Sequence, residues 1–285
     1  MRNWLQDKYV IVTGASGGIG KELCKLFIEK YGANVIGIAR NEEKIIQLQN
    51  ELKEKSSAFS YRLFDVSQKQ EWQNFAAFLK EQNIRPALLV NNAGMFPSFR
   101  KVVDTPSSVT EKVLAVNYFS IVYATEALLP LLSGDKKDKP AIVNVSSSAS
   151  LCTVVGTSAY SASKRAVQGY TEALQLEEKG KTYVGIVYPG TTATDLFSGD
   201  KNTQNSALDL IAMPAPKMAK KIAKRILKKK KRSVLGWDAK LMNLSAKLFP
   251  VKGVGLICSV MKASHSKVFS EVFQYKKKKK NKSNW

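Results

Sequence analysis

A single histidine, His265, and three cysteines, Cys24, Cys152 and Cys258, are all that 285 residues offer in the way of soft metal ligands. The cysteines are far apart, odd in number and without paired spacing. That excludes a disulfide framework or a zinc centre, and they read as small reduced core residues of a cytosolic protein. No metal is expected. No motif surrounds His265, which reads as a surface or packing residue rather than a catalyst. Long apolar runs are missing too. The longest uncharged run, 140–163, is rich in Ser and Thr, and nothing else approaches the roughly 18 apolar residues of a membrane span. The first strand pattern begins within a few residues of Met1, which leaves no room for a signal peptide. There is no internal repeat, and low complexity is confined to 276–280. Acids are scarce in one region only. Residues 217–285 hold 21 Lys and Arg against Asp238 and Glu271, so this quarter carries +19 of the chain's net charge of +22. The preceding 216 residues are nearly balanced, with 24 basic and 21 acidic side chains.

What is present is a core-forming composition, 44% hydrophobic, which argues against disorder. Short apolar runs alternate with segments of helical period. Strands are expected at 9–12, 34–39, 58–64, 87–90, 141–145, 184–187 and 233–237. Helices are expected at 19–30, 42–52, from a cap at Ser67 to about 80, at 105–132, from Thr157-Ser158 to a C-terminal glycine at Gly180, and at 218–227. Residues 190–216 read as a long loop. Repeated βα units with buried strands imply an α/β fold, a Rossmann-type doubly wound parallel sheet.

Three patterns carry chemistry. The first strand runs into Thr13-Gly14-Ala15-Ser16-Gly17-Gly18-Ile19-Gly20 and then a helix. Glycines there permit a tight turn and close backbone approach, and a helix N-terminus offers unpaired N–H groups to a pyrophosphate. The second strand ends in Arg40 where an acid would select an unphosphorylated ribose; an arginine suits a 2′-phosphate through charge-assisted contacts. The third pattern is Tyr160-Ser161-Ala162-Ser163-Lys164. A spacing of four puts both side chains on one helix face, and a lysine beside a tyrosine favours the phenolate, a candidate general acid/base. Ser147, thirteen residues earlier, ends the strand run 141–147, and a strand end is where an open α/β sheet builds its site.

Together these residues resemble the short-chain dehydrogenase/reductase family over residues 8–195, in its NADP-preferring form. Thr13–Gly20 fits the family's cofactor loop, with Thr13, Gly14, Ser16, Gly18, Ile19 and Gly20 as contacts. Asp65 and Val66 fit the acidic pair at the adenine. Asn91, Asn92, Ala93 and Gly94 fit the motif that braces the sheet and lines the cofactor. Pro189, Gly190, Thr192 and Thr194 fit the segment beside the nicotinamide. Asn117, Ser147, Tyr160 and Lys164 fit the catalytic tetrad. The resemblance implies hydride exchange between NADP(H) and a carbon bearing oxygen. Tyr160 would donate the proton and Ser147 a hydrogen bond to that oxygen. Lys164 would hold the ribose, and Asn117 a water leading to solvent. Gly17 departs from the basic residue that many NADP-preferring members carry there, so cofactor choice rests on Arg40.

The expected activity is interconversion of a secondary alcohol and a ketone on a lipophilic substrate, a hydroxysteroid or fatty acyl type, because Leu196, Phe197, Leu208, Leu210, Ile211 and Met213 could wall a greasy pocket. A 3-oxoacyl-carrier-protein reductase is the alternative within enzymes, and a non-catalytic dinucleotide sensor the alternative outside them. Ala159, Ala162, Ala166, Val167, Tyr170, Ala173 and Leu174 form a stripe of core packing and helix pairing, consistent with a homodimer or homotetramer. The catalytic domain is expected to span 1–237, followed by a helical extension with a polylysine tail at 238–285. Leu241, Leu244, Leu248 and Phe249, then Pro250 and the apolar run 253–261, read as a helix pair over the substrate cleft. With the lysine clusters at 228–232 and 276–280 and Trp285, the extension also suits peripheral contact with an anionic membrane. Specific nucleic-acid binding is not expected, since no aromatic residues or reading motif accompany the lysines.

Overall fold

Buried strands set the architecture. In β1 (Tyr9–Thr13) every residue after Tyr9 is buried, and β4 (Pro86–Asn91), β5 (Ala141–Val145) and β6 (Tyr183–Pro189) are buried throughout. Such strands need cover on both faces, which crossover helices supply. The computed structural model describes residues 3–134, 138–194, 196, 211–264 and 266–273. Together with β2 (Asn34–Ala39), β3 (Phe59–Leu63) and β9 (Arg232–Leu235), these strands form a parallel sheet of 7 strands in the order β3-β2-β1-β4-β5-β6-β9. A small parallel pair, β7 (Thr192–Ala193) with β8 (Met213–Pro214), lies outside it.

Helices α1 (Gly18–Glu29) and α8 (Ala215–Leu227) cover one face; Leu23 and Phe27 share a core cluster with Met218, Ile222 and Ile226. The other face takes α3 (Lys69–Glu81), α5 (Ser120–Leu128) and α7 (Ser158–Glu177), through Trp72, Phe75, Ala124, Leu128 and Leu174, while α4 (Ser107–Leu114) leads toward α5 through Val116. Each Leu, Ile, Phe or Met side chain among them taken out of water stabilises the fold by about 1.5–3 kcal/mol. The charged α2 (Glu42–Glu51) follows β2, and the short α6 (Ser148–Leu151) follows β5. Chain order reverses at β1, which pairs with β2 on one side and β4 on the other. A crevice opens at such a switch point, beyond the carboxyl ends of the strands.

Several expected boundaries shift. Ser67 does not cap α3. Its N–H and Oγ both donate to Asp65 Oδ1, at 2.9 and 2.8 Å, and Gln68 takes the cap position. The aspartate two residues earlier outcompetes the helix for that hydroxyl. The third strand starts at Phe59 because residues 53–58 wind into a 3-10 turn. α7 ends at Glu177, and Gly180 (φ 89°) sits in the turn beyond it. The last strand stops at Leu235, where Gly236 (φ 112°) redirects the chain into α9 (Trp237–Leu248). The expected helix over 105–132 is interrupted between α4 and α5 by a π-helical turn, Ala115–Phe119. The combined run Ser107–Leu131, 25 residues, is by length and composition apolar enough to cross a membrane. It packs on the sheet through Val116, Ala124 and Leu128, as a core helix does.

In α7, Ala159, Val167 and Leu174 point inward, while Ala162 and Ala173 are exposed. All three cysteines are free, Cys24 and Cys152 buried and Cys258 half-buried. After α9 come α10 (Lys252–Ala263) and a 3-10 turn at Lys267–Phe269. Phe197, Leu208, Leu210, His265, the lysines of 276–280 and Trp285 lie outside the described residues.

Candidate active site

The crevice is a cavity of about 540 Å³ running from the glycine loop to the C-terminal helices. Gly14 (φ 67°) and Gly18 (φ 51°) hold left-handed backbone that disfavours any side chain. A Cβ on Gly20 would strike the Gly14 carbonyl, so α1 seats tightly on the turn. Thr13 Oγ1 accepts from the N–H groups of Asn92 and Ala93, both at 2.9 Å, and Asn92 Nδ2 donates to Thr13 O at 3.0 Å. These bonds lock the glycine loop to the turn after β4. Behind that turn, Asn91 donates to Asn144, which donates to Thr171 Oγ1, a buried chain from β4 through β5 to α7. α1 opens at Gly17, with no side chain capping it. Its first residues line the cavity, and among the described residues no side chain caps them.

At the far edge, Arg40 is 63% exposed, and its Nη1 lies 3.7 Å from Asp65 Oδ2. Burial pushes the Asp65 carboxyl up, but the Ser67 hydrogen bonds and the Arg40 charge outweigh it and hold the group below the usual carboxylate range.

Among the catalytic candidates, Ser147 N-caps α6, its Oγ accepting from Ala149 N at 3.2 Å, and it is hydrogen-bonded to Tyr160. Ser146 is turned away: its Oγ donates to the Lys164 carbonyl at 3.0 Å. Lys164 is buried, and Nζ donates to Val145 O at 3.0 Å. Asn117 sits in the π-helical turn, where Oδ1 accepts from Met95 N (2.7 Å) and Nδ2 donates to Met95 O and Ser163 Oγ (both 3.0 Å). Gly94 fills the gap between Asn117 Oδ1 and Lys164 Nζ; a Cβ there would meet them at 3.3 and 3.4 Å. The expected lowering of the tyrosine pKa by lysine is not what the environment produces. Burial pushes the Tyr160 phenol up, opposed by its hydrogen bond to Ser147, and burial pulls Lys164 down to about 8. Lys164 Nζ lies 5.8 Å from the Tyr160 ring centroid and is engaged elsewhere, so desolvation wins for both.

Gly14, Ser16, Gly18, Ile19, Arg40, Asp65 and Val66 line the cavity. So do Asn92, Ala93, Gly94, Ser147, Tyr160, Lys164, Pro189, Gly190, Thr192 and Thr194. Thr13, Gly20 and Asn117 stand behind the wall as braces. Of the loop residues expected to form a greasy pocket, Leu196 and Ile211 line the cavity.

Much of the apolar wall comes from residues that no sequence pattern singled out. The Phe96 ring meets Tyr160 edge-on at 5.3 Å, Phe99 meets Phe96 at 4.8 Å, and Phe269 meets Phe99 edge-on at 5.0 Å. Segment 266–273 is thereby drawn into the site, with Val268, Phe269 and Val272 buried in the cluster that contains Tyr160. Asp238 was missed as well. It is buried, and Oδ2 accepts from Thr191 N at 2.6 Å, tying α9 to the segment that carries Thr192 and Thr194. The one available signal was its rarity, an acid among 21 basic residues.

The profile of the short chain dehydrogenases matches residues 8–205. The chain belongs to the short-chain dehydrogenase/reductase family. It is 31% identical over 263 residues to 3-ketodihydrosphingosine reductase of Bos taurus, covering 88% of this chain and 78% of the relative. It is 33% identical over 201 residues to dehydrogenase/reductase SDR family member 7B of Xenopus tropicalis, covering 68% and 63%. A short chain dehydrogenase of Shigella flexneri, solved in complex with NADP, superposes with a TM-score of 0.73 at 26% identity, covering 84% of this chain and all of that one. As a member of this family the protein is an oxidoreductase that uses a nicotinamide cofactor, NAD(P)H. The residues present fit that group: an uncapped helix N-terminus, left-handed glycines where a backbone must come close, and a cleft that continues past the hydroxyls of Ser147 and Tyr160.

Proposed function

We propose that the protein is an NADPH-dependent reductase that interconverts a long-chain ketone and its secondary alcohol. The observation that carries this reading is the continuity of one cavity from Arg40, past Ser147 and Tyr160, into a pouch walled by Phe96, Phe99, Leu196, Met261 and Phe269. A polar reacting end and a greasy far end suit a lipophilic chain with a single carbonyl. The likeness to 3-ketodihydrosphingosine reductases favours a long-chain keto base over a steroid or an acyl thioester as the substrate to try first.

A nicotinamide held in the cleft would supply the hydride to the carbonyl carbon. Tyr160 Oη donates its proton to the oxygen, and Ser147 Oγ donates a hydrogen bond to the same atom as negative charge builds there. Because burial favours the neutral phenol, Tyr160 stands ready as an acid. Lys164 would hold the nicotinamide ribose, and Asn117 keeps the Met95 backbone and Ser163 in place beside it. The N–H groups at the start of α1 would hold the pyrophosphate, Arg40 the 2′-phosphate, and Asp65 with Val66 the adenine. Asn92, Ala93 and Gly94, with Pro189, Gly190, Thr192 and Thr194, would enclose the nicotinamide half.

The test is NADPH oxidation by purified protein with 3-ketodihydrosphingosine, a ketosteroid and a 3-oxoacyl thioester on its carrier protein. Turnover is expected on the long-chain ketone. Turnover of none, or of the carrier-bound thioester alone, overturns the reading.

A further inference from the structure

Helices α9 and α10 are two-sided. On α9, Trp237, Leu241, Leu244 and Leu248 recur at spacings of four, three and four, which places them along one helix face. Sequence alone set this helix pair over the substrate cleft but left the direction of that face open. The structure turns it outward: these four, with Phe249, Val251, Leu256 and Val260, are 52% to 85% exposed. The cavity is lined instead by Met242, Ile257 and Met261 from the opposite sides of the same helices. The pair is closely joined, for Gly253 comes so near the Ser245 carbonyl that a Cβ there would stand 2.5 Å from it. Singly scattered apolar side chains on a surface mean little, but a set arrayed over two packed helices marks an interaction surface.

Charge decides what that surface meets. Lys240, Lys247, Lys252 and Lys262 are all exposed on these helices, and residues 239–264 contain no acid. The nearest acid, Asp238, is buried against Thr191 N. A second copy of this face would set lysines against lysines, which disfavours self-association. An anionic lipid surface satisfies both features at once: leucines enter at the headgroup boundary while lysines stay among the headgroups. An exposed tryptophan at the edge of the apolar face suits the same boundary.

We propose that the outer face of α9 and α10 docks on an anionic lipid bilayer, with Trp237, Leu241, Leu244, Leu248 and Leu256 inserted and the four lysines facing the headgroups. Docked in this way, the cavity wall formed by Met242, Ile257 and Met261 lies directly behind the bilayer surface.

The experiment is co-sedimentation of the full chain with phosphatidylcholine vesicles, with and without phosphatidylserine. Three proteins are compared: the parent, Leu241→Ser/Leu244→Ser/Leu248→Ser and Lys240→Glu/Lys247→Glu. None of the substituted residues lines the cavity, and thermal melting checks that each variant folds. The parent should pellet with the anionic vesicles and be released by salt. The charge variant should bind at least about 25-fold more weakly, about fivefold per lysine, and the serine variant should stay in the supernatant. A parent that stays in the supernatant at low salt overturns the proposal, as does a parent that binds neutral vesicles equally well. Variants that pellet like the parent overturn it too, because binding then comes from another part of the chain. Sedimentation velocity showing a dimer that the serine substitutions dissociate would assign the face to self-association and overturn it.

Discussion

Tyr160 and Lys164 are both buried, and burial penalises the charged form of each. For the tyrosine this maintains a neutral acid beside Ser147, suited to giving its proton to an oxygen that is becoming negative. Tyr160→Phe should therefore keep NADPH binding and lose at least about 100-fold in kcat, the lower range for a positioned general acid. Fluorescence titration with NADPH and turnover on the long-chain ketone check the two halves; near-parental turnover would remove Tyr160 from the mechanism. For the lysine, burial costs stability. A lysine whose folded value is about 8, against an ordinary 10.5, binds fewer protons folded than unfolded in that window, so its contribution to stability rises with pH across it. At neutral pH the penalty is about 3 kcal/mol. Lys164→Met removes it but leaves Val145 O without its donor, a loss of about 1–3 kcal/mol. The inactive variant should thus be as stable as the parent or more so at neutral pH. Between pH 8 and 10.5 the balance should swing toward the parent by about 3 kcal/mol. Urea unfolding of both proteins across that range is the measurement, and a difference that does not change with pH would contradict the argument.

Both acids of the otherwise basic quarter help tie the C-terminal elements to the rest of the chain. Glu271 pairs with Arg100 at 3.4 Å, but both side chains are half exposed, and such a pair contributes about 0–1 kcal/mol. Asp238 is buried and accepts from Thr191 N, so it is the stronger anchor. Asp238→Ala should cost about 2 kcal/mol, the range for a buried hydrogen bond to a charged group. It should also raise KM for NADPH, because Thr191 leads into Thr192 and Thr194 on the cavity wall. Asp238→Asn, which retains an acceptor, should recover part of both, whereas Glu271→Gln should change neither measurably. An Asp238→Ala variant with unchanged KM would reduce the residue to a packing role. At this scale the sequence was legible wherever chemistry repeats along the chain. Buried strands read as apolar runs, and the glycine turn and the Tyr160–Lys164 pair read from spacing. Where the outcome depends on what lies across space, it was not legible. The leucine stripe of α9 is plain in sequence, but nothing local says whether it faces the sheet or solvent. Ser67 looks like a cap until Asp65 claims its hydroxyl. Phe96, Phe99 and Phe269 come from segments without periodicity, and only the fold stacks them beside Tyr160.

Across the whole molecule, chemistry and charge are separated along the chain. The crevice at the β1–β4 switch point is built mainly from the nearly balanced first 216 residues, while +19 of the net +22 lies beyond them. On the proposed reading Arg40 is a local determinant of cofactor choice, and its effect should be visible in the stability of the whole fold. A ligand that binds only the folded chain stabilises it by mass action, about 2.7 kcal/mol at 100 times its Kd. In a chain of this size that raises the melting temperature by roughly 5 °C. Arg40 is 63% exposed and has Asp65 as a neighbour at 3.7 Å. One charge-assisted contact to a 2′-phosphate contributes about 1.5–3 kcal/mol, or roughly 10- to 100-fold in affinity. At the same concentration NADH should then produce at most about half the NADPH shift. Arg40→Asp should reverse the order, because it places a carboxylate where the phosphate would sit and an acceptor where a free ribose hydroxyl would donate. Thermal melts of parent and variant with each cofactor decide it without reference to any substrate. Equal shifts in the parent, or a larger shift with NADH, would show that Arg40 does not select the phosphate.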